Sequence, residues 1–155
     1  MTIIEYSSNR AREVTDLFFM SVHAIDSSIY SEEQKIAWAP SPIDYLFWEK
    51  RLELKRPYLL LINNQLAGFI ELESDGHIDC AYVSPTFQRK GVATRLLKHV
   101  INEAKNQKLE RLYVEASIVA KPLFERFGFV LDKENRIIRN ETVLNNYSMH
   151  MKLKH

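Results

Sequence analysis

At 155 residues the chain is long enough to bury one full core, and a single domain over residues 1–155 is expected. Hydrophobic residues make up 46% and charged residues 26%, an ordinary globular balance, and the net charge of +1 argues against a general nucleic-acid or membrane-surface binder. One cysteine, Cys80, excludes an intrachain disulfide and fits a reducing compartment; with no apolar leader and no run near the ~20 residues that span a bilayer, a cytoplasmic location is expected.

In chain order, Thr2–Tyr6 reads as a short strand, followed by a helix capped by Ser8 or Asn9. That helix places Val14, Leu17, Phe18, Val22 and Ile25 on one face, with Ser21 interrupting the stripe. Ser31-Glu-Glu-Gln34 is a capping-box pattern that opens a second helix, ended by Pro40. Ser41-Pro-Ile-Asp44 opens a third, with Pro42 suited to the first helical position. Pro57–Ile62, Leu66–Glu73 and His77–Val83 read as three strands of an antiparallel meander, joined at Asn63-Asn64 and Ser74-Asp-Gly76.

A helix after Gly91 buries Leu96, Leu97, Val100, Ile101 and Ala104. Arg111–Ala116 is the next strand, and the helical crossover makes it a parallel neighbour of His77–Val83. A short helix over about Ala120–Phe127 ends at Gly128. Phe129–Asp132 and Val143–Leu153 form a closing antiparallel pair, with Asn135–Glu141 as a hairpin or loop. The order β-α-α-α-β-β-β-α-β-α-β-β describes an α/β layer structure on a mixed sheet, with a ligand crevice expected at the carboxyl ends of its parallel strands.

The most informative segment is Gln88-Arg-Lys-Gly-Val-Ala-Thr94, at a strand-to-helix junction. A helix N-terminus offers unpaired N–H groups and positive dipole potential, which suits a phosphate. Gly91, one of only four glycines, lets a ligand approach the backbone, and Arg89 and Lys90 add mobile charge. The chain has no Gly-x-x-x-x-Gly-Lys-Ser/Thr pattern, which argues against a P-loop nucleotide enzyme.

This segment resembles the acyl-CoA motif Q/R-x-x-G-x-G/A of the Gcn5-related N-acetyltransferases, with Gln88, Gly91 and Ala93 in place. Leu112–Phe129 resembles the family's second motif through Ala120 and Gly128-Phe129. The element order is also that of the family. Tyr30–Gln34, Trp38–Pro40, Tyr113–Pro122 and Asn146–Met149 are similar to its bacterial YafP-like branch.

The resemblance implies acetyl-CoA as co-substrate, held in a gap between two splayed parallel strands, and no metal. It implies a cofactor site of Tyr82, Val83, Gln88, Arg89, Lys90, Gly91, Val92, Ala93, Thr94, Ser117 and Phe124. A backbone amide near Tyr82 or Val83 would meet the thioester carbonyl. Two departures stand out: Ser117 occupies the usual Asn position, and Phe124 occupies the position where many members carry the Tyr that protonates the leaving thiolate. The second departure gives weight to an alternative, a non-catalytic acyl-CoA sensor on the same fold.

Acetyl transfer to an amine needs a base, a donor to the oxyanion and an exit for the thiolate. Glu71 and Glu73 leave one face of a central strand and are candidate bases. His23 is another, with a structural histidine as its alternative, and Asp79 and Tyr147 follow. Tyr30, Trp38, Tyr45 and Trp48 cluster before the second strand; those facing the site, with Tyr30, Trp38 and Trp48 foremost, would enclose a small-molecule amine acceptor. The chain is expected to act as a monomer or homodimer, without nucleic acid or membrane. Cys80 is expected to pack, with a nucleophilic thiol as the alternative.

Overall fold

The computed structural model describes residues 1–154. Its strands are β1 (Thr2–Glu5), β2 (Tyr58–Ile62), β3 (Gln65–Leu72), β4 (His77–Val83), β5 (Arg111–Ala116), β6 (Val130–Arg139) and β7 (Thr142–Lys152). Its α-helices are α1 (Ala11–His23), α2 (Glu32–Trp38), α3 (Tyr45–Lys55), α4 (Val92–Asn106) and α5 (Lys121–Arg126). The strands form one seven-stranded sheet in the order β1-β2-β3-β4-β5-β7-β6. Among the described residues no helix is long and apolar enough to cross a membrane.

Two cores sandwich the sheet. On one face α4 packs Val92, Leu96, Leu97, Val100 and Ala104 against Ile70, Ile78, Leu112 and Val114. On the other, α1 packs Val14, Leu17, Phe18 and Val22 against Leu52, Leu59 and Phe69. Gly68 sets the approach of α4: a Cβ there would stand 2.8 Å from Val92 Cγ1 and 2.9 Å from the Tyr82 carbonyl oxygen.

β4 and β5 are parallel but pair only at His77 with Tyr113 and Ile78 with Val114. Beyond Ile78 the two strands separate, leaving a gap at their carboxyl ends. On the other edge of β4, Ile70 pairs Ala81 and Leu72 pairs Ile78, so Asp79 and Cys80 together stand opposite Glu71 alone. This bulge aims Asp79 and Cys80 toward α3, where both contact Arg51.

Two local expectations change, and one pair of alternatives is decided. Ser8 and Asn9 do not cap α1; they lie in a 3-10 turn, where the Ser7 hydroxyl donates to the Asn9 side chain instead. α3 starts at Tyr45 rather than at Pro42, because Asp44 accepts from the Phe47 N–H at 3.0 Å and caps it. Of the two alternatives for Asn135–Glu141 the structure takes the hairpin: β6 runs on to Arg139, past the expected Asp132, and turns on Asn140 and Glu141, both left-handed with φ 47° and 64°.

Candidate active site

Two cavities meet inside the molecule. The first, of about 440 Å³, follows the gap between β4 and β5, lined by Ala81, Val83, Gln88, Arg89, Gly91–Thr94, Leu123, Phe124 and Arg126. The second, of about 640 Å³, lies on the α1–α3 face beneath the β6–β7 hairpin. Trp38, Tyr82 and Ser117 line both, so these residues form the junction.

The first cavity fits a phosphate-bearing thioester. Gly91 is left-handed, φ 78°, and a Cβ there would meet nothing within 4 Å, so the loop opens onto free space at the start of α4. The 15-residue α4 points its unpaired N–H groups into that space, flanked by Arg89 and Arg126. Deeper in, Ile70, Leu96, Leu97 and Phe124, all buried, give an apolar passage. The Ser84 N–H donates to the Ala67 carbonyl at 2.8 Å, so strand alternation turns the neighbouring Val83 N–H the other way, into the gap. Every expected cofactor residue lines this cavity except Lys90.

The two departures have local explanations. Ser117 Oγ accepts from the Ala120 N–H at 3.2 Å, so the side chain organises the turn into α5. Phe124 packs edge-on against Phe129, with ring centroids 5.0 Å apart, and carries no proton to give. A phenol does stand at the junction. Trp38 Nε1 donates to Tyr82 Oη at 3.2 Å, leaving the Tyr82 hydroxyl proton for another acceptor. Burial pushes this phenol well above its ordinary pKa, so it stays protonated.

The second cavity is walled by aromatic side chains. Tyr30, Trp38 and Trp48 all reach it, together with Phe18, Phe19 and Phe47, whereas Tyr45 turns away to Asp16 and Arg12. Trp48 packs on Phe18 at 4.5 Å and Trp38 on Tyr30 at 5.5 Å. The hairpin is tied over the cavity by two side chains. Gln34 donates to the Val143 carbonyl at 3.1 Å and Asn140 to the Ala37 carbonyl at 3.2 Å.

Of the base candidates, Glu71, Glu73, His23 and Tyr147 reach neither cavity. Glu71 and Glu73 do share a face, but α3 occupies it. Glu71 is fully buried and bidentate with Arg51, at 2.6 and 2.7 Å. Burial raises its pKa while Arg51 pulls the other way. Glu73 is held by Lys55 at 3.0 Å and by His77 at 2.6 Å, the latter contact foremost in lowering its pKa. His23 Nε2 lies 2.7 Å from the Ala39 carbonyl and its ring packs on Phe19, the structural alternative. Tyr147 pairs with Ala116 across β5 and β7, with Lys121 over its ring. Burial drives the Cys80 thiol well above its usual pKa, which favours packing over nucleophilic chemistry.

Three carboxylates do line the second cavity, Asp44, Asp79 and Glu115, and Asp44 caps α3. Asp79 is spent on Arg51 at 3.0 Å and Lys55 at 2.8 Å. Glu115 Oε1 lies 2.7 Å from His77 Nε2, and its second oxygen has no partner among the described residues. Sequence reasoning missed Glu115, and only its alternation with Val114 and Ala116 on β5 hinted at the exposed face.

Known proteins share this fold. Residues 27–151 match the model of the acetyltransferase (GNAT) domain. The chain is 34% identical to the uncharacterized N-acetyltransferase YafP of Escherichia coli (strain K12), over 99% of this chain and 97% of that one. It is similar to a solved Gcn5-related N-acetyltransferase from Rhodopseudomonas palustris, with TM-score 0.92, 28% identity, and coverage of 98% and 95% of the two chains. It shares its fold with the putative acetyltransferase yncA of Salmonella typhimurium, solved with acetyl-CoA, with TM-score 0.74, 17% identity, and coverage of 100% and 95%. With the motif loop, the splayed strands and these matches together, the chain belongs to the Gcn5-related N-acetyltransferase family of acetyl-CoA-dependent acetyltransferases.

Proposed function

We propose that the protein moves the acetyl group of acetyl-CoA to the primary amine of a small molecule, by direct attack in a ternary complex. The observation that carries this reading is the junction: a phosphate-accepting cavity and an aromatic cavity share Trp38, Tyr82 and Ser117. Arg89, Arg126 and the N–H groups opening α4 would hold the phosphates, and the Val83 N–H would donate to the thioester carbonyl. Acetyl-CoA supplies the activated acetyl group.

The amine enters from the α1–α3 side. Glu115 takes its proton, directly or through one water, using the carboxylate oxygen left free by His77. The Tyr82 hydroxyl stabilises the departing thiolate by donating a hydrogen bond to it, where Phe124 has none to give, and the thiolate then takes its proton from water. The aromatic walls and the tethered hairpin favour a compact acceptor over an extended peptide. A screen of acetyl-CoA-dependent CoA release tests the reading: small primary amines are expected to turn over. Acetylation of peptides or proteins alone would overturn the acceptor assignment.

A further inference from the structure

The acceptor cavity carries five charged side chains: Asp44, Arg51, Asp79, Glu115 and Arg139. Four are engaged within the protein. Asp44 caps α3 through the Phe47 N–H at 3.0 Å. Arg51 is shared between Glu71 at 2.6 Å and Asp79 at 3.0 Å, and Glu115 is bonded to His77 at 2.7 Å. The Arg139 side chain makes no hydrogen bond or ion pair among the described residues, and its backbone pairs with Thr142. Its positive charge is the cavity's unspent one.

Its placement is built rather than incidental. Arg139 is the last residue of β6, and the next residue, Asn140, is anchored to the Ala37 carbonyl at 3.2 Å. Gln34 holds the returning strand at Val143. The hairpin therefore keeps Arg139 at the cavity mouth, above the aromatic wall. Its charge reaches the junction: burial raises the Tyr82 phenol, and Arg139 acts on it in the opposite direction. Glu115, with one carboxylate oxygen left free by His77, lines the same cavity. A cation and a carboxylate with one unspent valence each, facing one apolar chamber, complement a molecule that carries both an amine and an anion.

Resting on the function proposed above, we infer that the acceptor is an amine bearing an anionic group, a carboxylate or phosphate, which Arg139 binds while the amine faces Glu115. The guanidinium fork matches either anion with two parallel hydrogen bonds. The apolar remainder of the acceptor lies against Phe18, Trp38 and Trp48.

The test uses matched pairs in the CoA-release assay: phenylalanine with phenethylamine, leucine with isoamylamine, and O-phosphoethanolamine with ethanolamine. In at least one pair the anionic member is expected to have kcat/KM about 10–100-fold higher, the size of a charge-assisted contact. Arg139→Gln should erase that preference by lowering the anionic member alone, and Arg139→Lys should restore part of it. Both tryptophans, Trp38 and Trp48, line the cavity, so their fluorescence gives a readout independent of turnover. 3-Phenylpropionate should quench it in the wild type at lower concentration than in Arg139→Gln. Turnover of neutral amines in preference to anionic ones overturns this inference and leaves the proposed function standing. An equal loss for both members in Arg139→Gln also overturns it. Turnover of no member of any pair, with acetyl-CoA still bound, removes the small-amine reading and this inference together.

Discussion

Replacing Arg51 by Met tests the packing of the acceptor wall. Glu71 is completely buried, and Arg51 supplies its hydrogen-bond donors at 2.6 and 2.7 Å. Removing one partner of a buried pair strands the other charge, at a cost of about 3–5 kcal/mol. Two charge-assisted hydrogen bonds at about 1.5–3 kcal/mol each reach the same range. The contact of Arg51 over Trp48, 5.0 Å from the ring centroid, adds about 0.5–1 kcal/mol. With a urea slope near 2 kcal/mol/M, the midpoint falls by about 2 M.

The deficit depends on pH. With Arg51 gone, burial and the neighbouring Asp79 charge both raise Glu71 and only the Cys80 contact opposes them, so its folded pKa rises further above the unfolded value and the folded state keeps the proton longer. The variant is therefore least impaired at pH 5, with Glu71 protonated, and most impaired at pH 8. The double variant Arg51→Met/Glu71→Leu replaces the pair by apolar groups and should lie within about 2 kcal/mol of wild type. Urea melts at the two pH values decide it. A single-variant deficit under 1 kcal/mol at pH 8, or a double variant worse than the single, would refute the reasoning.

Glu115→Gln should lower kcat by about 10²–10⁴-fold with a smaller change in KM for acetyl-CoA, read by steady-state kinetics. Equal losses in binding and turnover would point to a structural role instead. Gly68→Ala should destabilise by about 1–3 kcal/mol in thermal melts, because a Cβ at 2.8 Å from Val92 and 2.9 Å from the Tyr82 backbone forces α4 off the sheet. Melts within error of wild type would mean that α4 is not seated on β3 as described. His77 has a raised folded pKa: burial lowers it, but hydrogen bonds to Glu73 and Glu115 outweigh burial. Its stabilisation is full below about pH 6.5 and fades as pH rises through the folded value. The stability difference between wild type and His77→Gln should therefore shrink from pH 6 to pH 9, and a difference that grows would contradict the Glu73–His77–Glu115 contacts.

What could be read from the chain were features that local chemistry dictates. The Ser31–Gln34 capping box forms reciprocally, at 3.1 and 2.9 Å, because both halves lie within one turn. The α1 stripe and the meander follow from periods that burial imposes. Ser21, the break in that stripe, lines the cavity between β4 and β5. The extension of β6 was illegible because the outer hairpin is solvated on most of its length, so no apolar alternation marks it. Glu71 looked like a base because strand alternation gives its face; only the tertiary packing of α3 assigns that face to Arg51. Glu115 and Arg139 carry no local pattern either. The splay of β5 and the tether of the hairpin bring them to the cavity.

The proposed function requires that the Gln88–Ala93 loop and the β4–β5 gap bind acetyl-CoA. Calorimetric titration with acetyl-CoA, with ATP as a control, tests it most directly in wild type and Gly91→Glu. The added side chain must adopt φ 78° and puts a carboxylate into the open space before α4, where the phosphates would sit. The account predicts saturable binding by the wild type, no comparable binding of ATP, and loss in a folded Gly91→Glu. Unchanged acetyl-CoA affinity in that folded variant would contradict it.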